Sequence, residues 1–280
     1  MRYVSFYDEG HVRPGFIDGD CIVVIACDSL LEYIAMSPER REQHHTGERI
    51  LFERTRLAPP VIPQKNVFCV GRNYLEHAKE GARASGRELK LPEVPTFFSK
   101  APTAIAAHDA ELRWEARVSE QYDYEAELAI VIGSSVKDAA EADAMGAVFG
   151  YTCLNDMTAR DLQRAHLQWL KGKSLDETCP IGPWIVTVDE IGDPQKLDVR
   201  CRVNGVEKQH GNTSQMIFPL PRIIAELSKG MTLQPGDVIA TGTPEGVGFA
   251  RTPPEFLADG DVVEVEIQNI GVLRNTVRIA

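Results

Sequence analysis

Through the second half of the chain, apolar and polar positions alternate with the period of a strand half-buried in a sheet. In LDVRCRVNGVEKQ, Leu197, Val199, Cys201 and Val203 alternate with Asp198, Arg200 and Arg202, and Asn204-Gly205 supplies the pair that a type I′ hairpin turn needs. In VVEVEIQNIGVLRNTVRI, Val263, Val265 and Ile267 face one way while Glu264, Glu266 and Gln268 face the other. Turn chemistry at Gln234 to Asp237 and at Ala258 to Asp261 separates such runs. Before Leu57 the strand-like stretches are short and enclose a helix-like segment, Leu30 to Arg41, followed by the polar run REQHHTGER. Pro59, Pro60 and Pro63 in LAPPVIPQKN favour an extended connector. The pattern predicts an α+β chain, predominantly β, with a small N-terminal α+β domain over 1–62. A larger domain over 63–280 is expected to be built of antiparallel or mixed sheets folded on themselves. Two helices matter there. One starts at Asn73, whose side chain caps it with Glu76 three residues on, and runs through Tyr74 to about Ala82. The other runs from Asp156 through Leu170 with an acidic first turn.

Composition narrows the function classes. The 280 residues carry 43% hydrophobic and 25% charged side chains, ordinary for a globular protein, and no apolar run is long enough to span a bilayer. The N-terminus interleaves aromatic and charged residues and does not read as a secretory signal, so the expected compartment is the cytoplasm. A formal net charge of -11 with scattered basic residues argues against nucleic acid as a partner. The six cysteines stand singly, with no C-x-x-C pair, and read as reduced, mostly buried thiols.

Candidate chemistry sits in a few places. Strand alternation in YDYEAELAIVIG puts Tyr124, Ala126, Leu128 and Ile130 on one face and Glu125 and Glu127 on the other, the two carboxylates about 7 Å apart at the backbone. An isolated E-x-E is most often a solvated strand face. Ala129 and Val131 continue the glutamate face, however, so burial of both faces would require a counter-charge. Asp156, in CLNDMTARD, projects from a strand-to-helix junction, where a helix cap is the plainer role. Three carboxylates without histidine or thiolate suit Mg²⁺ or Mn²⁺ better than zinc. His77 and Glu80 share a helix face, so the carboxylate can fix the imidazole tautomer and leave the other nitrogen as a base, unless they are merely an exposed pair. The polar segment EGARASGRELK after them could act as a lid. Lys173, in KGKSLDETCPIGP, is not part of a phosphate loop, because the first glycine of that motif would fall at Leu167. It reads as a partner for a substrate carboxylate or enolate, or as a surface lysine. IATGTPEGVG, 239–248, could present backbone N–H groups and the Thr243 hydroxyl to an anion, or be a tight turn.

Taken together, VGRNYLEHAKE, PTFFSKAPTAI, YDYEAELAIVIG, CLNDMTARDLQ, KSLDETCPIGP, TSQMIF, GDVIATGTPEGVG and IGVLRNTV, in this order from about Val67 to the C-terminus, resemble the fumarylacetoacetate hydrolase family. The resemblance extends to its bacterial acylpyruvate hydrolase and 2-hydroxyhepta-2,4-diene-1,7-dioate isomerase branch. It implies a mixed β-sandwich roll, a homodimer, Glu125, Glu127 and Asp156 as metal ligands, and His77 with Glu80 as a water-activating dyad. It also implies Lys173, Gln163 and Thr243 as substrate contacts, with Arg72 and Tyr74 beside them, and leaves the N-terminal domain structural by default.

The expected reaction is hydrolysis of the carbon–carbon bond of a 2,4-dioxo acid, an acylpyruvate or a diketo-deoxy sugar acid, via a metal-bound pyruvate enolate. Decarboxylation of oxaloacetate, isomerisation of a 2-hydroxydienoate or tautomerisation of oxaloacetate would use the same site. His77 with Glu80 favours hydrolysis, since tautomerisation needs no activated water. A noncatalytic metal-binding protein is the reading from another class, and metal-dependent turnover separates it from the enzymes.

Overall fold

The strand Ala126–Ile132 is buried along its whole length, and the fold is arranged to cover both of its faces. The computed structural model that shows this describes residues 1–86 and 88–280, with Arg54 described by its backbone alone; Arg87, inside the segment read as a lid, lies outside the described residues. Leu128, Ile130 and Ile132 pack with Val199, Cys201, Val263 and Val265 and with Ile223, Ile224 and Leu227 of the helix Leu220–Ser228. Ala129 and Val131 pack on the opposite side with Val67, Cys69, Ile181, Ile185 and Val238 and with Tyr3 and Ile34 from the N-terminal segment. Each large apolar side chain sealed in this way contributes about 1.5–3 kcal/mol relative to exposure.

The main sheet has twelve strands among the described residues. Its path runs His45–Leu51, Cys21–Ile25, His11–Asp18, Arg2–Asp8, Cys179–Thr187, Val148–Asn155, Ala126–Ile132, Val238–Ala240, Val67–Gly71 and Thr96–Lys100, with two short strands joined at its flank. Most pairings are antiparallel, but Val238–Ala240 lies parallel to Val67–Gly71. A second, five-stranded sheet, from Val206–Asn212 through Asp198–Val203, Val262–Ile267 and Gly271–Ile279 to Glu111–Trp114, closes the sandwich, so the predominantly β mixed roll is present. The hairpin predicted at Asn204-Gly205 forms, with those residues at the two positive φ values of a type I′ turn, +53° and +75°, and the C-terminal alternating run folds as a second hairpin, Val262–Ile267 with Gly271–Ile279. The N-terminal strands extend the main sheet, because Arg2 and Tyr3 pair with Val186 and Ile185.

Three helix expectations need correction. The segment Leu30 to Arg41 is two short helices, Leu30–Ala35 and Pro38–Glu42, because the proline ring holds Ser37 in the extended region. The helix expected from Asn73 begins later, at Leu75–Ala84, with Tyr74 as an N-cap that makes no side-chain capping bond. The Asn73 amide instead donates to the Phe218 and Thr241 carbonyls and accepts from the Phe218 N–H, so tertiary partners outcompete the local cap. The helix expected over Asp156 to Leu170 starts only at Arg160, because Thr158–Ala159 stays extended to pair with Tyr122–Asp123, and it ends at Ala165, with a separate short helix at Leu170–Lys173. Asp156 is therefore not in a helical first turn.

Candidate active site around a carboxylate triad

Glu127 lies near the start of the strand Ala126–Ile132, Glu125 just before it, and Asp156 just past the end of the neighbouring strand Val148–Asn155. The pairing of these strands sets Ala126 opposite Asn155, and two bonds hold the ends together: Asp156 N–H to the Glu125 carbonyl at 2.9 Å and Glu125 N–H to Asn155 Oδ1 at 3.0 Å. The three side chains converge so that one oxygen of each lies within 4.8 Å of the others, and all three are buried. The glutamate face is thus not a solvated strand surface; it turns inward.

Dry carboxylates need counter-charge. The Lys173 ammonium donates to Glu125 Oε2 at 2.9 Å and Asp156 Oδ2 at 2.6 Å, over the Phe98 ring, and Lys100 lies 2.8 Å from Asp156 Oδ1. Arg160 pairs with Glu125 Oε1 at 2.7 Å and Asp123 Oδ2 at 2.8 Å. Burial alone would raise the Glu125 carboxyl, but Lys173, then Arg160 and His77, outweigh it and hold it below the usual carboxylate range. Glu127 goes the other way: burial first, then the charges of Asp156 and Glu125, push it well above that range, and Lys173 with the Gly242 N–H only partly offsets them. Desolvation opposes the charged form of Lys173 too, yet Asp156 and Glu125 keep its ammonium more firmly protonated than usual.

This donor set fits a divalent cation. Among the described residues, Asp156 Oδ1 is buried with no aligned hydrogen-bond donor, since Lys100 approaches it off the hydrogen-bond direction, and Glu127 sits among like charges that a cation would relieve. All-oxygen ligation favours a hard ion.

His77 Nδ1 and Glu80 Oε1 are 2.9 Å apart, with both side chains largely buried. Because Glu80 Oε2 accepts from Gly246 N–H at 2.9 Å, the dyad is tied to the loop after Val238–Ala240. The loop's N–H groups do meet anions, but these belong to the chain: Gly242 N–H donates to Glu127 Oε2 at 2.7 Å. Gly242 has φ +101° and an added Cβ would stand 2.7 Å from that of Asn73, so glycine is required.

The remaining residues divide. Thr243 Oγ1 accepts from Gln209 Nε2, whose Oε1 in turn accepts from Ala126 N–H, so the loop is pinned to the ligand strand. Gln163 Oε1 accepts from Arg160 Nη1 at 3.1 Å. Tyr74 is buried with its hydroxyl unpartnered among the described residues, and Arg72 is exposed with its guanidinium over the Trp169 ring. Sequence reasoning passed over Lys100, Asp123, Arg160 and Gln209. Asp123 accepts from Gly248 N–H and Phe249 N–H as well as from Arg160, and only the D-x-E-x-E spacing of Asp123, Glu125 and Glu127 could have drawn attention to it.

A family model described as fumarylacetoacetate (FAA) hydrolase C-terminal matches residues 66–278. Oxaloacetate tautomerase YisK of Bacillus subtilis is 49% identical over 220 residues, covering 79% of this chain and 72% of that protein. A solved fumarylacetoacetate hydrolase from Exiguobacterium antarcticum superposes with a TM-score of 0.86 at 40% identity, covering all of both chains. A 2-hydroxyhepta-2,4-diene-1,7-dioate isomerase from Mycobacterium marinum superposes with a TM-score of 0.81 at 34% identity, covering 100% of this chain and 98% of that one. With the ordered motifs, the roll and the carboxylate triad all in agreement, this chain belongs to the fumarylacetoacetate hydrolase family.

Proposed function

We propose that this protein is a divalent-cation-dependent tautomerase that interconverts the enol and keto forms of oxaloacetate or a close 2-oxo dicarboxylic acid. What carries the reading is the Lys173 ammonium, bonded at 2.9 and 2.6 Å to two members of the buried triad, in a chain 49% identical to a relative named oxaloacetate tautomerase. Relatives thus shift the balance from hydrolysis to what sequence alone ranked second.

Glu125, Glu127 and Asp156 would hold Mg²⁺ or Mn²⁺. A bound divalent cation supplies Lewis acidity toward a 2-oxo acid carbonyl. The chain's own groups do the rest. Lys173 would hydrogen-bond the oxygen that gains charge when a proton leaves C3. Glu80 fixes His77 with Nδ1–H toward its carboxylate, leaving Nε2 to carry the proton from C3 to the oxygen when the enol forms and from the oxygen to C3 when the ketone forms. Four buried carboxylates, Asp123, Glu125, Glu127 and Asp156, face three buried cations, Lys100, Arg160 and Lys173, so one divalent ion would offset the local negative excess and suits an anionic substrate. A homodimer accompanies this reading, and mass photometry tests it.

Hydrolysis of an acylpyruvate is the second reading, favoured by the intact His77–Glu80 pair. Stripped protein supplied with Mg²⁺ or Mn²⁺ should speed decay of enol-oxaloacetate absorbance above the buffer rate without releasing pyruvate. Cleavage of an acylpyruvate with no effect on the oxaloacetate enol would overturn the tautomerase reading in favour of the hydrolase.

A further inference from the structure

Lys100 ends Thr96–Lys100, the last strand on its side of the main sheet, a position that ordinarily delivers a lysine to water. Here it is 0% exposed. Its ammonium stands 2.8 Å from Asp156 Oδ1 and donates to the Met157 carbonyl at 2.9 Å, gripping the carboxylate by charge and the next residue by its backbone. The thiols of Cys69 and Cys179 are also fully buried and feel the charges of Asp156 and Lys100, and burial holds Cys179 neutral, its pKa raised to about 12. A buried ammonium costs several kcal/mol unless it is paired, and a methionine would fill similar space without that cost.

The two ammoniums on Asp156 are not equivalent. Lys173 is hydrogen-bonded to Oδ2 and shared with Glu125, on the side where the triad converges. Lys100 pairs with only Asp156 of the three and lies 2.8 Å from Oδ1 outside hydrogen-bond alignment, so its part there is charge compensation from one side.

We propose that Lys100 is a positioning residue for the cation site: a fixed buried charge that orients Asp156 for metal ligation while touching neither substrate nor reacting atoms. The proposal rests on the metal-dependent reading above. Groups that orient metal ligands from behind change metal affinity by about 10- to 100-fold when removed. A competing effect has the opposite sign, because a nearby ammonium repels a divalent ion and its loss would tighten binding.

Mn²⁺ titration of the metal-stripped full chain, by calorimetry and by the Mn²⁺ paramagnetic resonance signal, decides between them. Lys100→Met and Lys100→Gln, the second retaining a donor for the Met157 carbonyl, should each bind Mn²⁺ at least 10-fold more weakly than the wild type. Lys65→Met, which removes the distant Lys65–Asp237 pair, should bind normally. Near-UV circular dichroism in chelator checks that the variants keep the fold. Unchanged or tighter binding in either folded variant overturns the proposal. So does failure of both to fold, since a positioning role requires the fold to survive. A wild type that binds no Mn²⁺ overturns the metal reading itself, an outcome visible before any variant is made.

Discussion

Glu127 carries the sharpest consequence at the scale of single residues. Its folded-state pKa is raised from the ordinary 4.5, by burial and then by Asp156 and Glu125. For a raised group the stabilising contribution is complete below the unfolded value and is lost as pH rises through the folded one. Metal-free protein should therefore lose thermal stability with rising pH above that ordinary value. The difference between wild type and Glu127→Gln, read by scanning fluorimetry in chelator, isolates this part. Metal binding must displace the proton, so the Mn²⁺-induced rise in Tm should grow with pH in the wild type. At the dyad, Glu80→Gln leaves one acceptor oxygen for two donors, the Gly246 N–H and His77 Nδ1–H, so with that oxygen held by Gly246 the amide turns its NH₂ to Nδ1 and the imidazole favours the wrong tautomer. Proton transfer should slow by about 10²- to 10⁴-fold in kcat, with KM little changed. An unaltered kcat would remove His77 from the proton path.

Among the secondary-structure elements, the helices Arg160–Ala165 and Leu170–Lys173 place Arg160, Gln163 and Lys173 by packing closely on one another. Gly172 is the contact point: an added Cβ would stand 2.5 Å from Gln163 N and 2.9 Å from the Ala159 carbonyl oxygen. Gly172→Ala should push the short helix outward and move the Lys173 ammonium. About 10²-fold loss of kcat/KM is expected from such a displacement, in a protein that still folds. Alternation made the strands readable, and with them the inward pair Glu125 and Glu127. The helices were misread where long-range partners won: Asn73 holds Phe218 and Thr241 instead of capping, and Thr158 pairs with Asp123 instead of coiling. Lys100 was illegible because nothing local tells a lysine at a strand end that a distant aspartate will cover it.

For the whole molecule, stability and site share the strand Ala126–Ile132. Leu128 is fully buried between the sheets, and Leu128→Ala should cost about 2–5 kcal/mol in urea unfolding, against well under 1 kcal/mol for a surface change such as Val206→Ala. The class of fold was accessible from hairpins whose partners are near in sequence. Which strand covers the second edge of the glutamate strand was not, because Val238–Ala240 reaches it from far along the chain, bringing Val67–Gly71 on its own far side.

That placement bears on how the chain is born. The glutamate strand finds one neighbour soon after it leaves the ribosome, but its other edge waits for Val238–Ala240, and the N–H that steadies Glu127 belongs to Gly242. A nascent chain halted at residue 230 carries every acidic ligand yet cannot finish the cage around them. On the proposed metal-dependent reading, competence to capture an ion would thus arrive late in translation, as a property of the nearly completed polypeptide.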